Sequence, residues 1–370
     1  MQGEFTLRDT YRRYQSIRQA LKTMYPEEPR GQIARHLNTL VAMICGIVGS
    51  QRANLPAIAG HAPSASQVSS QIKQFKRWLI NERIEEEVYF LPFLAHVLAS
   101  LASQTVVLVI DGSGVGRGCV TLMVSVVYQG RALPLMWVVR AGKKGHFPEA
   151  LHVELIGRVA ELIPPGSDVV CLGDGEFDGT GWLAQLEQLN WHYVCRTAKN
   201  AVCLEQGERF APQDICPAPG HCVGVPEVEF TEAGYGPVHL IAWWEKGYRE
   251  PLYLVSNLPV AEEACDWYRK RFRIETFFSD QKSRGFHLHK SHLSDPQRLA
   301  RLMIASCLAY LWVVYLGAFA LQTAWSRSIH RGDRCDLSLF QLGLRLLQHF
   351  LREGIAIPLF RFAMPKFGAT

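Results

Sequence analysis

Paired cysteines are missing from this chain: none of its ten cysteines forms a Cys-x2-Cys unit. The common zinc fingers are thereby excluded. Cys203, Cys216 and Cys222 with His221 are the remaining group with ligands for zinc, and their spacing matches no common finger. Cys45, Cys119, Cys171, Cys195 and Cys307 lie in apolar runs and read as buried free thiols. No Gly-Lys-Ser/Thr occurs, so the glycine-rich run at 112–118 is not a phosphate-binding loop. It follows a strand but leads into strand-like sequence, and a turn is the better reading. Internal repeats and low-complexity tracts are also absent. Charged residues make up only 20% of the 370, with a net charge of +5 and 48% apolar residues. That is an ordinary globular composition, long enough for one large domain with an insertion or for two to three smaller ones. Residues 1–14 are polar and charged, unlike a signal peptide, so the reducing cytoplasm is the expected compartment. One long stretch, residues 302–325, carries no charge. Its length alone permits a membrane span. Standing alone and diluted by Ser306, Gln322 and Thr323, it reads instead as a helix buried behind a sheet.

Residues 1–103 have helical spacing. Residues 10–24 and 31–48 each present an apolar face, separated by Pro26-Glu27-Glu28-Pro29. A Gly/Pro/Ala/Ser-rich passage follows at 49–66. Ser66 or Ser69 can then cap a helix through Ile80 that carries Lys73, Lys76, Arg77 and Trp78. A short helix, a loop and a basic helix fit a DNA-reading module, and they fit a plain bundle with a solvated basic face equally well.

At Thr105 the texture changes. Val106-Val107-Leu108-Val109-Ile110 is a continuous apolar run rich in β-branched residues that ends at Asp111-Gly112. Residues 120–128 and 132–139 form two further strands around a short turn, and residues 148–162 a helix. A fourth strand at 168–172 ends in Gly173-Asp174-Gly175; a helix at 179–189 and a fifth strand at 192–195 follow. Three strands on short turns, then helix, strand, helix, strand, is the ribonuclease H-like order. It makes the first and fourth strands neighbours, so Asp111 and Asp174 at their ends would meet. An Asp before Gly is often only a turn residue. Glu176 and Asp178 are competitors for Asp174, which is preferred because it directly follows the apolar run. Lys143, Lys144 and His146, after the third strand, fit a phosphate contact or plain surface. Residues 197–258 lose the helical pattern and read as a β-rich insertion, with Trp243 and Trp244 as packing residues or, alternatively, as a platform for a displaced base.

The segment 268–282 organises the rest. Pro259 can start a helix and Gly285 can end one. On one continuous helix Tyr268, Arg271, Glu275 and Lys282 share a stripe about 60° wide. Residues 266–301 hold nine Lys/Arg against four Asp/Glu, while residues 197–258 hold four against eight. A basic stripe of this kind suits a phosphate backbone, although a solvated charged face has the same pattern.

Tyr-x2-Arg-x3-Glu-x6-Lys, met here by Tyr268, Arg271, Glu275 and Lys282 without a gap, resembles the signature of DDE transposases from bacterial insertion sequences. Asp174-Gly175-Glu176-Phe177 resembles the second-aspartate motif of that family, with Gly175 where many relatives have Arg. The resemblance covers about residues 105–320. It implies a catalytic triad of Asp111, Asp174 and Glu275 on an α/β, ribonuclease H-like mixed five-stranded sheet with helices. It implies two Mg²⁺ ions (Mn²⁺ substituting), Asp111 bridging both. Tyr268, Arg271, Lys282 and Arg196 become the expected DNA contacts. Double-stranded DNA, both element ends and target, becomes the expected partner, and a homodimer the working form. The expected domains are a helical DNA-binding region at 1–103, a catalytic domain at 104–196 and 259–325, the insertion at 197–258, and a helical region with a loose basic tail at 326–370.

Overall fold

The computed structural model describes residues 6–25, 27–64, 66–101, 104–142, 147–330 and 336–366. Lys143, Lys144 and His146 lie outside these residues. The chain begins with helices α1 (Leu7–Lys22), α2 (Gly31–Ser50), α3 (Leu55–His61), α4 (Val68–Ile80), α5 (Glu86–Tyr89) and α6 (Leu91–Leu101). A reciprocal cap starts α1: the Thr6 hydroxyl accepts from the Asp9 amide while the Asp9 carboxylate accepts from the Thr6 amide. The Gly/Pro-rich passage after α2 is not only a loop, because Asn54 caps α3 within it. Lys73, Lys76 and Arg77 on α4 are exposed, and Phe75 and Trp78 are buried between them.

The strands are β1 (Val106–Gly116), β2 (Cys119–Tyr128) and β3 (Arg131–Ala141). Helix α7 (Glu149–Ala160), β4 (Val169–Gly173), α8 (Thr180–Gln188) and β5 (His192–Thr197) follow. Then come β6 (Cys203–Glu205), β7 (Glu208–Phe210), β8 (Cys222–Phe230), β9 (Tyr235–Trp243) and β10 (Leu252–Ser256). All lie in one ten-stranded sheet ordered β3-β2-β1-β4-β5-β10-β9-β8-β6-β7. The half β3-β2-β1-β4-β5, with β1, β4 and β5 parallel and β2 antiparallel to β1 and β3, is ribonuclease H-like. The other half is the β-rich stretch expected at 197–258, and it makes the sheet ten-stranded rather than five-stranded. β10 pairs antiparallel with β5, so residues 203–256 extend the same sheet. An exposed β5 edge would leave unpaired backbone groups, and β10 satisfies them.

β1 also differs from expectation. Its parallel pairing with β4 ends at Val109↔Leu172, but its antiparallel ladder with β2 continues through Asp111↔Met123 to Gly116↔Cys119. Asp111 therefore sits inside a long hairpin, where the sheet loses one partner and keeps the other. The run read as a turn is strand as far as Gly116.

The last part holds α9 (Ala261–Tyr268), α10 (Arg273–Gln281), α11 (Pro296–Gln322), α12 (Trp325–Ile329) and α13 (Leu339–Arg352). By length and composition α2 and α11 could each cross a membrane; 61% and 89% of their most apolar windows are buried inside the fold. α11 packs on α13, α2 and β3. Its backbone touches that of α13: a Cβ on Gly317 would lie 1.9 Å from the Leu339 carbonyl, and one on Gly343 1.9 Å from the Val313 carbonyl. The tail is not loose as far as residue 366. Phe360, Phe362 and Met364 are buried, Phe362 stacks on Phe93, and the Tyr128 hydroxyl donates to the Pro365 carbonyl.

Candidate active site

The signature segment is two helices rather than one. Between α9 and α10 the chain tightens, with the Arg271 amide donating to the Tyr268 carbonyl at 2.9 Å and the Arg273 amide to the Lys270 carbonyl at 3.0 Å. No residue there forbids a continuous helix, so tertiary contacts decide the break. The turn swings Arg271 inward, where it is only 7% exposed. Its guanidinium reaches Asp111 Oδ2 at 3.8 Å and Glu275 Oε1 at 3.2 Å, and it lies 4.2 Å over the Phe272 ring. Its Nε is buried without a hydrogen-bond partner among the described residues.

Asp111, Asp174, Arg271, Glu275 and Lys282 line one cleft of about 830 Å³. β1 supplies Asp111, the loop after β4 supplies Asp174, and α10 supplies Glu275. The anchor of α10 is Asp280, 4% exposed, which accepts from Arg131 on β3 at 3.0 Å. Lys282, at the end of α10, donates to Ser113 Oγ at 2.5 Å. Ser113 went unread in the sequence. Had β1 been extended past Asp111, strand alternation would have put Ser113 on the same face as Asp111.

Burial, and after it the charge of Asp174, pushes the Asp111 carboxyl up to about 6; Arg271 and the Gly112 amide pull the other way. Two carboxylates thus face each other in a partly dry cleft, with Arg271 the cation beside Asp111. Hard oxygen donors that repel one another fit a divalent cation such as Mg²⁺. Among the described residues no three His, Cys, Asp or Glu side chains are gathered closely enough to ligate a metal as they stand, and Glu275 is turned to Arg271. The same holds for Cys203, Cys216 and Cys222 with His221.

The competitors of Asp174 are otherwise engaged. Glu176 lines the same cleft but accepts from the Phe147 amide at 2.5 Å and lies 3.7 Å from His152. Asp178 accepts from the Thr197 hydroxyl at 2.8 Å, and burial raises its carboxyl. Asp174 Oδ1 accepts from the Glu176 amide at 3.0 Å, which fixes the loop. Of the expected DNA contacts, Lys282 reaches the cleft wall and Arg271 is buried within it. Tyr268 is only 1% exposed and packs edge-on to Phe272, so it positions the turn and has almost no surface to offer DNA. Arg196 is exposed on β5, close enough to act electrostatically on Tyr268, but it does not line the cleft. Trp243 is buried and Trp244 donates to the Tyr248 carbonyl.

A ribonuclease H-like sheet carrying an acidic cleft, with carboxylates drawn from a strand, a loop and a helix, defines the class of polynucleotidyl transferases and nucleases. Residues 103–312 match the family described as the Transposase DDE domain, and the chain belongs to that family. Members of the family generally use divalent metals. No curated protein matches the chain. Among solved structures it is similar to the piggyBac transposase in its synaptic complex with hairpin DNA, at 12% identity and a TM-score of 0.44, over 98% of this chain and 84% of that one.

Proposed function

We propose that this chain is the transposase of a bacterial insertion sequence, acting in the cytoplasm as a homodimer on double-stranded DNA. It binds the ends of its element, cuts them and joins them to target DNA. The observation that carries this reading is the convergence of Asp111, Asp174 and Glu275 on one cleft. Asp111 and Asp174 would hold a pair of Mg²⁺ ions, with Glu275 completing the second site once it exchanges Arg271 for metal. When bound, such ions neutralise charge at phosphorus and acidify the attacking water.

The reaction is two in-line displacements at one cleft. Water attacks phosphorus at the element end; the P–O3′ bond breaks and leaves a 3′-hydroxyl and a 5′-phosphate. That 3′-hydroxyl then attacks a target phosphate and expels the target's own 3′-oxygen. Arg271 remains beside Asp111 when Glu275 turns to metal, and its guanidinium, Nε included, is then a donor for a phosphate oxygen. Lys282, steadied by Ser113, places a second cation on the same side. Fixed donors of this kind stabilise developing charge without reorganising during the reaction.

A plasmid carrying the coding region with its flanking inverted repeats, incubated with protein and Mg²⁺, tests the reading. Cutting and joining that depend on Mg²⁺ or Mn²⁺ and stop with chelator are expected. Cutting without joining would make the chain a metal-dependent nuclease. Binding without either would make it a non-catalytic DNA-binding protein.

A further inference from the structure

A second cleft, of about 1140 Å³, lies between α1, the end of α2 and α13. Among the described residues Arg8, Arg12, Arg52, Arg345 and Arg352 line it, against one carboxylate, Asp9. That carboxylate is already committed to the cap of α1. Two of the arginines are committed as well. Arg12 donates to the Leu351 and Phe350 carbonyls and so closes the end of α13, while Arg352 pairs with Glu353. Arg8 and Arg52 are exposed, and their side chains make no hydrogen bond or ion pair among the described residues. Arg345 is exposed, and among the described residues its side chain meets the His330 ring alone, at 3.3 Å.

These three come from distant parts of the sequence, so the fold itself gathers like charges onto one surface. Such a gathering destabilises the free protein unless a polyanion compensates it. Arginine also matches phosphate with two parallel hydrogen bonds, which lysine cannot do. The size of the cleft and its spread over three helices exceed what a single small anion needs. Its position argues for the nucleic acid on which the catalytic cleft acts. His287 lines the basic cleft, and its amide donates to the carbonyl of Lys282, at 2.9 Å, whose side chain lines the catalytic one. The turn at 282–287 therefore carries one lining residue of each cleft.

We infer that the Arg8, Arg52 and Arg345 cleft grips the phosphate backbone of the duplex whose end is processed at Asp111. This rests on the DNA-processing reading above. It assigns the main electrostatic grip to the junction of the first and last helices, away from the exposed basic face of α4.

The test uses the full chain and a labelled mixed-sequence duplex, since backbone binding is independent of sequence. Affinity is measured by anisotropy over a range of salt for wild type, Arg8→Ala/Arg52→Ala and Lys73→Ala/Lys76→Ala. The arginine pair is expected to lower the slope of log affinity against log salt by about 0.9 per residue removed. The α4 pair should leave it close to wild type. Arginine-specific labelling of wild type, read by mass spectrometry, should show Arg8, Arg52 and Arg345 protected by duplex and not by inorganic phosphate. An unchanged slope in the arginine pair, a loss confined to the α4 pair, or protection by phosphate alone would overturn the inference while leaving the proposed function standing. Wild type that binds no duplex at all would overturn both.

Discussion

Asp111→Asn should make the metal-free protein more stable at alkaline pH while disabling it. The Asp111 carboxyl stands at about 6 in the fold, against an ordinary value of 3.8, chiefly through burial and then through Asp174. Each tenfold change in acidity is worth about 1.4 kcal/mol, so holding the deprotonated carboxylate costs the fold about 3 kcal/mol. The folded protein binds this proton more tightly than the unfolded chain does. The contribution of Asp111 is therefore most favourable below pH 3.8 and is lost as pH rises through 6. Asparagine has nearly the same shape and no proton to lose, so its advantage should be absent near pH 4, grow between pH 4 and 6, and level off above 7. The pull of Arg271 on Asp111 is already contained in this balance. Urea unfolding of both proteins in chelator at pH 4.5, 6 and 8 measures it. Adding Mg²⁺ at pH 8 should stabilise wild type and narrow the gap, because a ligand that binds only the fold adds its binding energy. An asparagine variant no more stable than wild type at pH 8, or a gain that ignores pH, would refute the reasoning.

Gly317→Ala should destabilise by about 1–3 kcal/mol or more, because its Cβ would overlap the Leu339 carbonyl where α11 meets α13; thermal unfolding reads this out. Arg131→Ala should cost about 3–5 kcal/mol by leaving Asp280 buried without its cation, and cleavage should fall with it, since that pair anchors α10. Denaturant unfolding run beside a cleavage assay checks both. Lys282→Ala should weaken duplex binding across all sequences and lower the salt slope by about one; an unchanged slope with normal cleavage would return Lys282 to a solvated face.

Much of the catalytic half was legible because its signals are local. The apolar runs at 106–110 and 169–172 each give a buried strand without help from the rest of the chain. Glu275 and Lys282 were assigned to the site through the resemblance of their spacing to the family signature, since the spacing by itself suits a solvated charged face as well. What was not legible depends on partners distant in sequence. β1 continues past Asp111 because β2 pairs with it there, which the glycines at 112–118 conceal. The strands at 203–256 read as a β-rich insertion, but their joining of the same sheet was not legible, because it depends on the β5 edge accepting β10. The break before α10 has no breaker residue, and it follows from Arg271 being drawn to two carboxylates. The arginine cleft joins positions 8, 52 and 345, and no local pattern announces it.

Cleavage and joining by Glu275→Gln, beside wild type, with duplex binding measured on the same preparations, tests the central claim most directly. Glutamine keeps the shape of the side chain and removes the charge. A surface glutamate would tolerate it within about 0.5 kcal/mol of stability and with activity intact. The account predicts a folded variant that binds duplex like wild type and loses Mg²⁺-dependent cutting and joining by about a hundredfold or more, as Asp111→Asn and Asp174→Asn should. Near-normal cutting by Glu275→Gln would remove it from the catalytic centre and contradict the account.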